Sequence, residues 1–231
     1  MVFDLALARQ VASTCCNNTN TENGLVESFS QICNFLADNL DRISWRGKNI
    51  PSIETEDGLK IFAERYFLSY RKSDFPAVPG TIPDEMVSIV MQEAYGYSGT
   101  QCEKIKIEHQ HAMCAENCVG ALLERYLDSV LRSYGWHWCC GDFVKAIDFI
   151  SKTDDGKWLA LQIKNRDNSE NSSSSAIRNG TPIQKWFRSF SKTGGTNWKK
   201  LPELMQGYDL SEEGFVAFVK SYLISEKIKM P

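Results

Sequence analysis

The fold of this 231-residue chain is decided by one stretch, Asp148-Phe149-Ile150-Ser151-Lys152-Thr153-Asp154-Asp155-Gly156-Lys157-Trp158-Leu159-Ala160-Leu161-Gln162-Ile163-Lys164. Residues 146–150 and 158–163 form two short apolar runs. Residues 153–156 separate them with a turn signal, in which Asp-Gly favours a positive φ angle. Two such runs around a tight turn predict a β-hairpin.

Polar side chains lie at the open end of this hairpin. The first strand carries the carboxylate of Asp148, and the second carries Gln162 and Lys164, which share a face because they are two residues apart. If the register also puts Asp148 on that face, a carboxylate, a carbonyl oxygen and an ammonium group converge. Oxygen ligands suit Mg²⁺, and a lysine can orient a water against a phosphate. The alternative is that these are ordinary polar residues at the end of a hairpin, without a catalytic role.

The bulk composition is that of a soluble globular protein, with 42% hydrophobic and 24% charged residues. The length allows one large domain or two small ones. No run approaches the ~18 apolar residues of a membrane helix. The N-terminus has an acid at Asp4 and no basic start, unlike a signal peptide, so we expect a cytoplasmic protein.

Eight cysteines in a chain without a signal peptide predict buried thiols rather than disulfides. His109, His111, Cys114 and Cys118 form a possible zinc cluster, but their spacing matches no common zinc pattern. Cys114 and Cys118 are four residues apart, as on one face of a helix. Core packing is therefore the favoured interpretation, and a zinc-stabilised interaction module is the alternative.

Charge is distributed unevenly along the chain. The net charge is −3, yet residues 157–200 contain nine basic residues and two acids, a local charge of +7 that leaves −10 elsewhere. Four aromatic residues interleave with these charges. A basic stripe on an acidic body is typical of a polyanion-binding surface, and the alternative is a merely solvated face.

Several basic and polar side chains of this stripe are candidate nucleic-acid contacts. The run 169–178 includes four consecutive serines, so a flexible linker is the alternative there. Arginine suits the acceptors of guanine, and a carboxylate can accept from the cytosine amino group. The candidates are Arg166, Glu170, Asn171, Ser173, Arg178, Lys185, Arg188 and Lys192.

Hydrophobic periodicity predicts helices over most of the remaining chain. Glu124 lies in the middle of a predicted helix, at the edge of its apolar face. Glu116 lies near the expected start of the same helix, where a carboxylate interacts favourably with the helix dipole, so helix capping is a sufficient explanation for it. Residues 136–140 are expected to form a strand. The predicted helices are two within 1–46, then 58–71, 83–95, 115–134, 182–190, a short one in 198–205, and 215–224.

The order of these elements resembles the PD-(D/E)XK nuclease core. A helix with Glu124, a strand, a strand with Asp148, a turn and a strand ending in Gln162-Ile163-Lys164 follow one another. This resemblance implies an α/β (α+β) fold with a mixed central sheet flanked by helices. The chain departs from the pattern at Gln162, where the family has an acid, which removes one negative charge and puts a second metal in doubt.

A longer run is similar to the SinI-type restriction endonucleases, in residues 162–175, 177–181 and 185–188. The resemblance implies a Mg²⁺-dependent homodimeric type II restriction endonuclease that cuts within the palindrome G-G-(A/T)-C-C. A partner methyltransferase would protect cellular DNA. Residues 1–104 would then be a mainly helical scaffold or dimerisation part, and residues 105–231 a nuclease core with a DNA-recognition segment at 165–200.

The same resemblance implies roles for individual residues. Asp148, the Ile163 carbonyl and Glu124 would hold Mg²⁺, Lys164 would orient and help deprotonate the attacking water, and Gln162 would complete the site. Two rival functions remain: a repair or junction-resolving nuclease, and a catalytically silent DNA-binding protein on a nuclease fold, which Gln162 makes plausible.

Overall fold

A computed structural model describes residues 3–16, 24–167 and 183–229. Within these ranges helices surround one mixed sheet, so the expected α+β architecture is confirmed. The helices are α1 (Leu5–Cys15), α2 (Leu25–Asp38), α3 (Glu56–Arg71), α4 (Glu85–Tyr95), α5 (Gly99–Leu131) and α6 (Glu212–Lys229). The strands are β1 (His137–Trp138), β2 (Phe149–Lys152), β3 (Trp158–Arg166) and β4 (Ile183–Ser189).

The sheet has the order β1-β2-β3-β4, with two antiparallel pairs followed by one parallel pair. The predicted hairpin is confirmed as β2 and β3, in which Phe149 lies opposite Leu161 and Lys152 opposite Trp158. Gly156 closes the turn with a φ angle of +84°, a conformation that glycine adopts without steric cost. The functional stretch of the sequence therefore occupies the middle of the sheet.

The prediction of a helix over residues 182–190 is wrong, because Ile183–Ser189 is strand β4, parallel to β3. Its buried residues are Ile183, Trp186 and Ser189, and their spacing of three imitates a helical stripe. A strand covered on both faces need not alternate between apolar and polar residues, and its aromatic side chains favour the pleated conformation. The Trp186 indole N–H donates to the Asn197 carbonyl at 3.2 Å.

Helix α5 is longer than the predicted 115–134, since it begins at Gly99 and ends at Leu131. Ser98 and Gln101 form a capping box at its start, which satisfies backbone N–H groups that would otherwise lack partners. Glu116 therefore lies in mid-helix, and the expectation that it caps the helix start is wrong. The proposed boundary between residues 104 and 105 falls inside this helix.

The other helical predictions are confirmed in position, with one difference. The segment 198–205 contains two short 3-10 turns, Trp198–Lys200 and Glu203–Met205, instead of one helix. The hydrophobic core joins α1, α2, α3, the C-terminal half of α5, the sheet and α6. None of the helices within the described ranges has both the length and the hydropathy of a transmembrane segment.

Candidate active site and DNA interface

Asp148 is fixed between two strands at the start of β2. Its backbone N–H donates to the Leu161 carbonyl at 2.9 Å, and its own carbonyl accepts from the Cys139 N–H at 2.8 Å. Its carboxylate Oδ2 accepts from the Ile163 N–H at 2.6 Å. These bonds hold the carboxylate beside the end of β3, where Lys164 follows.

Glu124 reaches the same place from α5. The indole N–H of Trp138 on β1 donates to Glu124 Oε2 at 2.9 Å, which fixes the direction of the carboxylate. Burial, with a further contribution from the negative charge of Asp148, raises the pKa of Glu124 to about 8, although the Trp138 hydrogen bond and the Lys164 ammonium oppose the shift. Glu124 and Asp148 are therefore close enough to repel each other.

Asp148 shows the same balance. Burial raises its pKa above the usual value, against the Ile163 N–H bond and the positive charge of Lys164. The structure thus brings Glu124, Asp148 and Lys164 within electrostatic reach of one another, although they are distant in sequence.

Gln162 lies on the same face of β3 as Lys164, and its side chain is only 2% exposed. A carboxylate at this position would be a third buried acid beside Glu124 and Asp148, and unpaired buried charges are costly. The amide keeps an oxygen donor at the site without that charge. Gln162 is therefore compatible with a site whose acids are already hard to ionise.

The expected zinc alternative has no support from the described residues, which contain no cluster of three or more His, Cys, Asp and Glu side chains able to hold a metal ion. His109, His111, Cys114 and Cys118 all lie on α5 within those residues. The Cys118 thiol donates instead to the carbonyl of Asp74.

A cavity of about 240 Å³ opens beside the two acids and is lined by Glu124, Trp138, Cys139 and Asp148. Lys72, directly after α3, also lines this cavity, and its side chain is exposed. Periodicity and motif spacing missed Lys72, which lies far from the hairpin in sequence and at the start of an irregular connector. Lys72 is thus a second lysine near the two acids, in addition to Lys164, whose positive charge acts on both carboxylates.

Arg125, the neighbour of Glu124, anchors the segment that carries Lys72. Its guanidinium donates to the Lys72 carbonyl at 2.5 Å and pairs with the carboxylate of Asp74. It also lies 5.2 Å from the ring centre of Trp138 and 5.7 Å from that of Tyr222 on α6. The position of Lys72 relative to the acids is thus fixed by one buried arginine.

The loop between β1 and β2 contains two non-glycine residues in the left-handed region, Asp142 and Ala146, each with a φ angle of 59°. Such conformations cost on the order of 1–3 kcal/mol each and persist where surrounding structure imposes them. Gly141, Asp142 and Ile147 of this loop line the cavity. The strained backbone thus shapes the wall next to Asp148.

The structure divides the predicted DNA contacts into three groups, of which the third, Arg166 and Arg188, has contacts within the fold. Glu170, Asn171, Ser173 and Arg178 lie outside the described residues. Lys185 is on β4 in register with Gln162, and Lys192 is exposed in the turn after β4.

Arg166 and Arg188 have contacts within the fold. Arg166 NH1 lies 3.9 Å from Glu116 Oε1, and its NH2 donates to the Ser191 carbonyl at 3.4 Å. Arg188 is more enclosed, with a side chain only 16% exposed and ion-paired with Glu212. The structure thus gives Arg188 a packing role, while its predicted contact with DNA stays a prediction.

Comparison with known proteins identifies the class of molecule to which these residues belong. The sequence model of the SinI restriction endonuclease family matches residues 8–225. The chain belongs to this family. It is 41% identical over 237 residues to the type II restriction enzyme SinI of Salmonella infantis, across 99% of this chain and 98% of that protein.

A second relative in this family is the type II restriction enzyme Eco47I of Escherichia coli. The two chains are 48% identical over 164 residues, which is 71% of each. The resemblance to SinI-type enzymes is therefore confirmed, and with it the expected enzyme class, a type II site-specific deoxyribonuclease.

Proposed function

We propose that this member of the SinI family is a Mg²⁺-dependent enzyme that cuts both strands of DNA within a short palindrome, G-G-(A/T)-C-C being the proposed target. The observation that carries the catalytic part is that Glu124 and Asp148 line one cavity and that both carboxylates lie within reach of the positive charge of Lys164. A pair of acids with a neighbouring lysine is suited to phosphodiester hydrolysis.

The donor set fits Mg²⁺. Burial raises the pKa of both carboxylates, and the negative charge of Asp148 adds to the rise at Glu124. A divalent cation would favour the charged forms of both groups, and both present the oxygen ligands that Mg²⁺ prefers. Asp148 and Glu124 would hold the ion, with the Ile163 carbonyl as a third ligand and the Gln162 amide completing the site. Bound Mg²⁺ would stabilise the charge that develops on the phosphate.

The chain's own residues would position the reactants. Lys164 would orient the attacking water and take part in its deprotonation, so that a new P–O bond forms as the bond to the leaving oxygen breaks. Lys72 would attract a phosphate to the mouth of the cavity. The hydrogen bond from Ile163 N–H keeps the Asp148 carboxylate in one orientation during these steps.

DNA recognition is assigned to the segment 165–200, which carries most of the local charge of +7 found in residues 157–200. Arg166, Arg178 and Glu170 have the functional groups that pair with G·C base edges, and Lys185 and Lys192 suit the phosphate backbone. A palindromic target has two-fold symmetry, so the enzyme is proposed to act as a homodimer. A cognate DNA methyltransferase is its proposed functional partner.

The catalytic assignment is tested by digesting a DNA of known sequence, with and without Mg²⁺, and sequencing the ends. We expect Asp148→Ala and Lys164→Ala to abolish cleavage while a gel shift shows that specific binding persists. The matched controls are Asp155→Asn, on the turn of the same hairpin, and Lys60→Ala, at an exposed lysine of α3 outside the basic segment 157–200. These controls should cut at the wild-type rate, and full activity in Lys164→Ala would overturn the assignment.

One observation favours a second candidate function. Because Gln162 replaces an acid, the chain is also a candidate for a DNA-binding protein that has lost cleavage. The same digest separates the two, since a silent protein would shift the DNA and leave it intact at every Mg²⁺ concentration.

A further inference from the structure

Helix α4 and the first half of α5 form a two-helix arm, residues 85–117, that lies outside the hydrophobic core of the described residues. The buried residues that join its helices are mainly Ser88, Cys102 and Lys106. The contact is small and polar: the Cys102 thiol donates to the Ser88 carbonyl, and the Ser88 hydroxyl donates to Glu103 Oε1 at 3.2 Å. The arm thus has little apolar packing of its own.

Large apolar side chains lie on the outside of this arm and of the connector that leads into it. Six of them are between 50% and 95% exposed, namely Ile82, Met86, Ile89, Val90, Ile107 and Met113. Together they present on the order of 600 Å² of side-chain surface, which approaches the ~800 Å² that each partner contributes to a standard protein interface. A patch of this size is at the upper end of those found on monomeric proteins, and such patches are often interaction sites.

We propose that a second copy of this chain docks on the arm and that this contact forms the homodimer. Two amphipathic helices need a second layer to cover their apolar sides, and an identical arm related by a two-fold axis would complete a four-helix bundle. The contact would be self-complementary, as dimers of this symmetry require. The inference rests on the proposed function, because the palindromic target supplies the reason for a two-fold molecule.

Charge argues against DNA as the occupant. Residues 85–117 contain five acids and two lysines, a net charge of −3 with the histidines neutral. A surface of this sign repels phosphates, whereas the basic segment 157–200 attracts them. The arm and the DNA-binding surface are thus electrostatically distinct.

The arm is also continuous with the active site. Helix α5 runs unbroken from Gly99 to Leu131, so Met113 and Glu124 lie on one rod about 16 Å apart along its axis, at ~1.5 Å per residue. A dimer held at the arms would therefore set the distance between the two copies of Glu124. That spacing is what cutting both strands at fixed positions requires.

The test is sedimentation equilibrium of the full chain over a range of concentrations, without DNA or Mg²⁺. We expect the wild type to be a dimer and Val90→Glu to be a monomer with an unchanged far-ultraviolet circular dichroism spectrum. The matched control is Ile224→Glu, at a 63% exposed apolar residue on α6, which should remain a dimer. If Val90→Glu fails to fold, the milder double change Ile89→Ala with Val90→Ala should raise the dimer Kd at least tenfold.

A monomeric wild type, or arm variants that fold and dimerise like the wild type, would overturn the proposal. This readout involves no cleavage, so it separates the two hypotheses. A wild-type dimer that does not cut DNA would refute the proposed catalytic function and leave the arm contact intact. A monomeric wild type that cuts DNA would refute the arm contact and leave the proposed catalytic function intact.

Discussion

Replacing Arg188 with methionine should lower the stability of the fold and leave DNA affinity nearly unchanged. The Arg188 guanidinium donates to Glu212 Oε1 at 2.5 Å and to Asn165 Oδ1 at 2.9 Å. It also lies 5.2 Å from the ring centre of Phe215. These contacts join the end of the sheet to α6. Their loss should therefore lower the free energy of unfolding and leave the affinity for DNA nearly unchanged.

The size of the effect follows from how enclosed the pair is. An exposed ion pair contributes less than ~1 kcal/mol, and breaking a fully buried one costs ~3–5 kcal/mol. Side-chain exposures of 16% for Arg188 and 29% for Glu212 place this pair between the two limits. Methionine retains apolar cover over Phe215, so we expect a loss of about 2 kcal/mol, which in a chain of this length lowers the melting temperature by roughly 4–8 °C.

Thermal and urea unfolding measure the first half of this prediction, and the salt dependence of DNA binding measures the second. The matched control is Lys192→Met, which removes an exposed charge of the same stripe and should leave the melting temperature unchanged. Loss of a phosphate contact reduces the slope of log K against log salt by ~0.9. If Arg188→Met melts like the wild type and its slope falls by that amount, Arg188 is a DNA contact and the packing role is refuted.

Four further outcomes are expected. Cleavage by the Gln162→Glu variant should remain metal-dependent, with an altered preference between Mg²⁺ and Mn²⁺, because the glutamate adds a negative charge at the site. If the Gln162→Ala variant cuts at the wild-type rate throughout a Mg²⁺ titration, Gln162 does not contact the metal or its waters. Lys72→Ala should slow cleavage by tenfold or more and Lys72→Arg should restore much of it. Lys60→Ala, on the preceding helix α3, is the control, and equal rates for all three variants would remove Lys72 from the site. Arg178→Ala should weaken specific binding by about 1–3 kcal/mol and hardly change non-specific binding, and a competition assay that shows equal losses on both DNAs would make Arg178 a backbone contact. Burial lowers the pKa of His137 from its usual 6.5 to about 4, so the unfolded chain takes up a proton before the folded one does. The contribution of His137 to stability should therefore be full above pH 6.5 and fall by about 3 kcal/mol as the pH drops to about 4. The difference between the urea-unfolding pH profiles of the wild type and His137→Gln should show this loss, and parallel profiles would refute it.

Local patterns in the sequence predict the hairpin well. The turn at residues 153–156 and the apolar runs beside it act over a few residues, and the structure contains β2 and β3 where they indicate. The candidate residues Asp148, Gln162 and Lys164 are near this turn, so their approximate placement follows from the hairpin. The role of Glu124 is implied by the family resemblance, and the structure places this residue beside Asp148 at one cavity.

Long-range packing accounts for what the sequence did not predict. Strand β4 pairs in parallel with β3, and its buried positions repeat every three residues because tertiary contacts cover both of its faces. Lys72 lies far from the hairpin in sequence, and only the folding of α3 against α5 brings it to the cavity. The start of α5 depends on the capping box at Ser98, which the pattern of apolar residues does not reveal.

The contacts of Arg125 have a consequence for anyone who shortens or extends this protein. Tyr222 on the last helix lies against the Arg125 guanidinium, and its hydroxyl accepts from the Asp74 N–H at 3.1 Å. Arg125 in turn adjoins Glu124 and holds the Lys72 carbonyl. Helix α6 therefore supports the segment that carries Lys72 and the part of α5 that carries Glu124. Its removal should loosen both, although neither residue belongs to α6. A purification tag or fusion partner is better separated from this end by a flexible spacer.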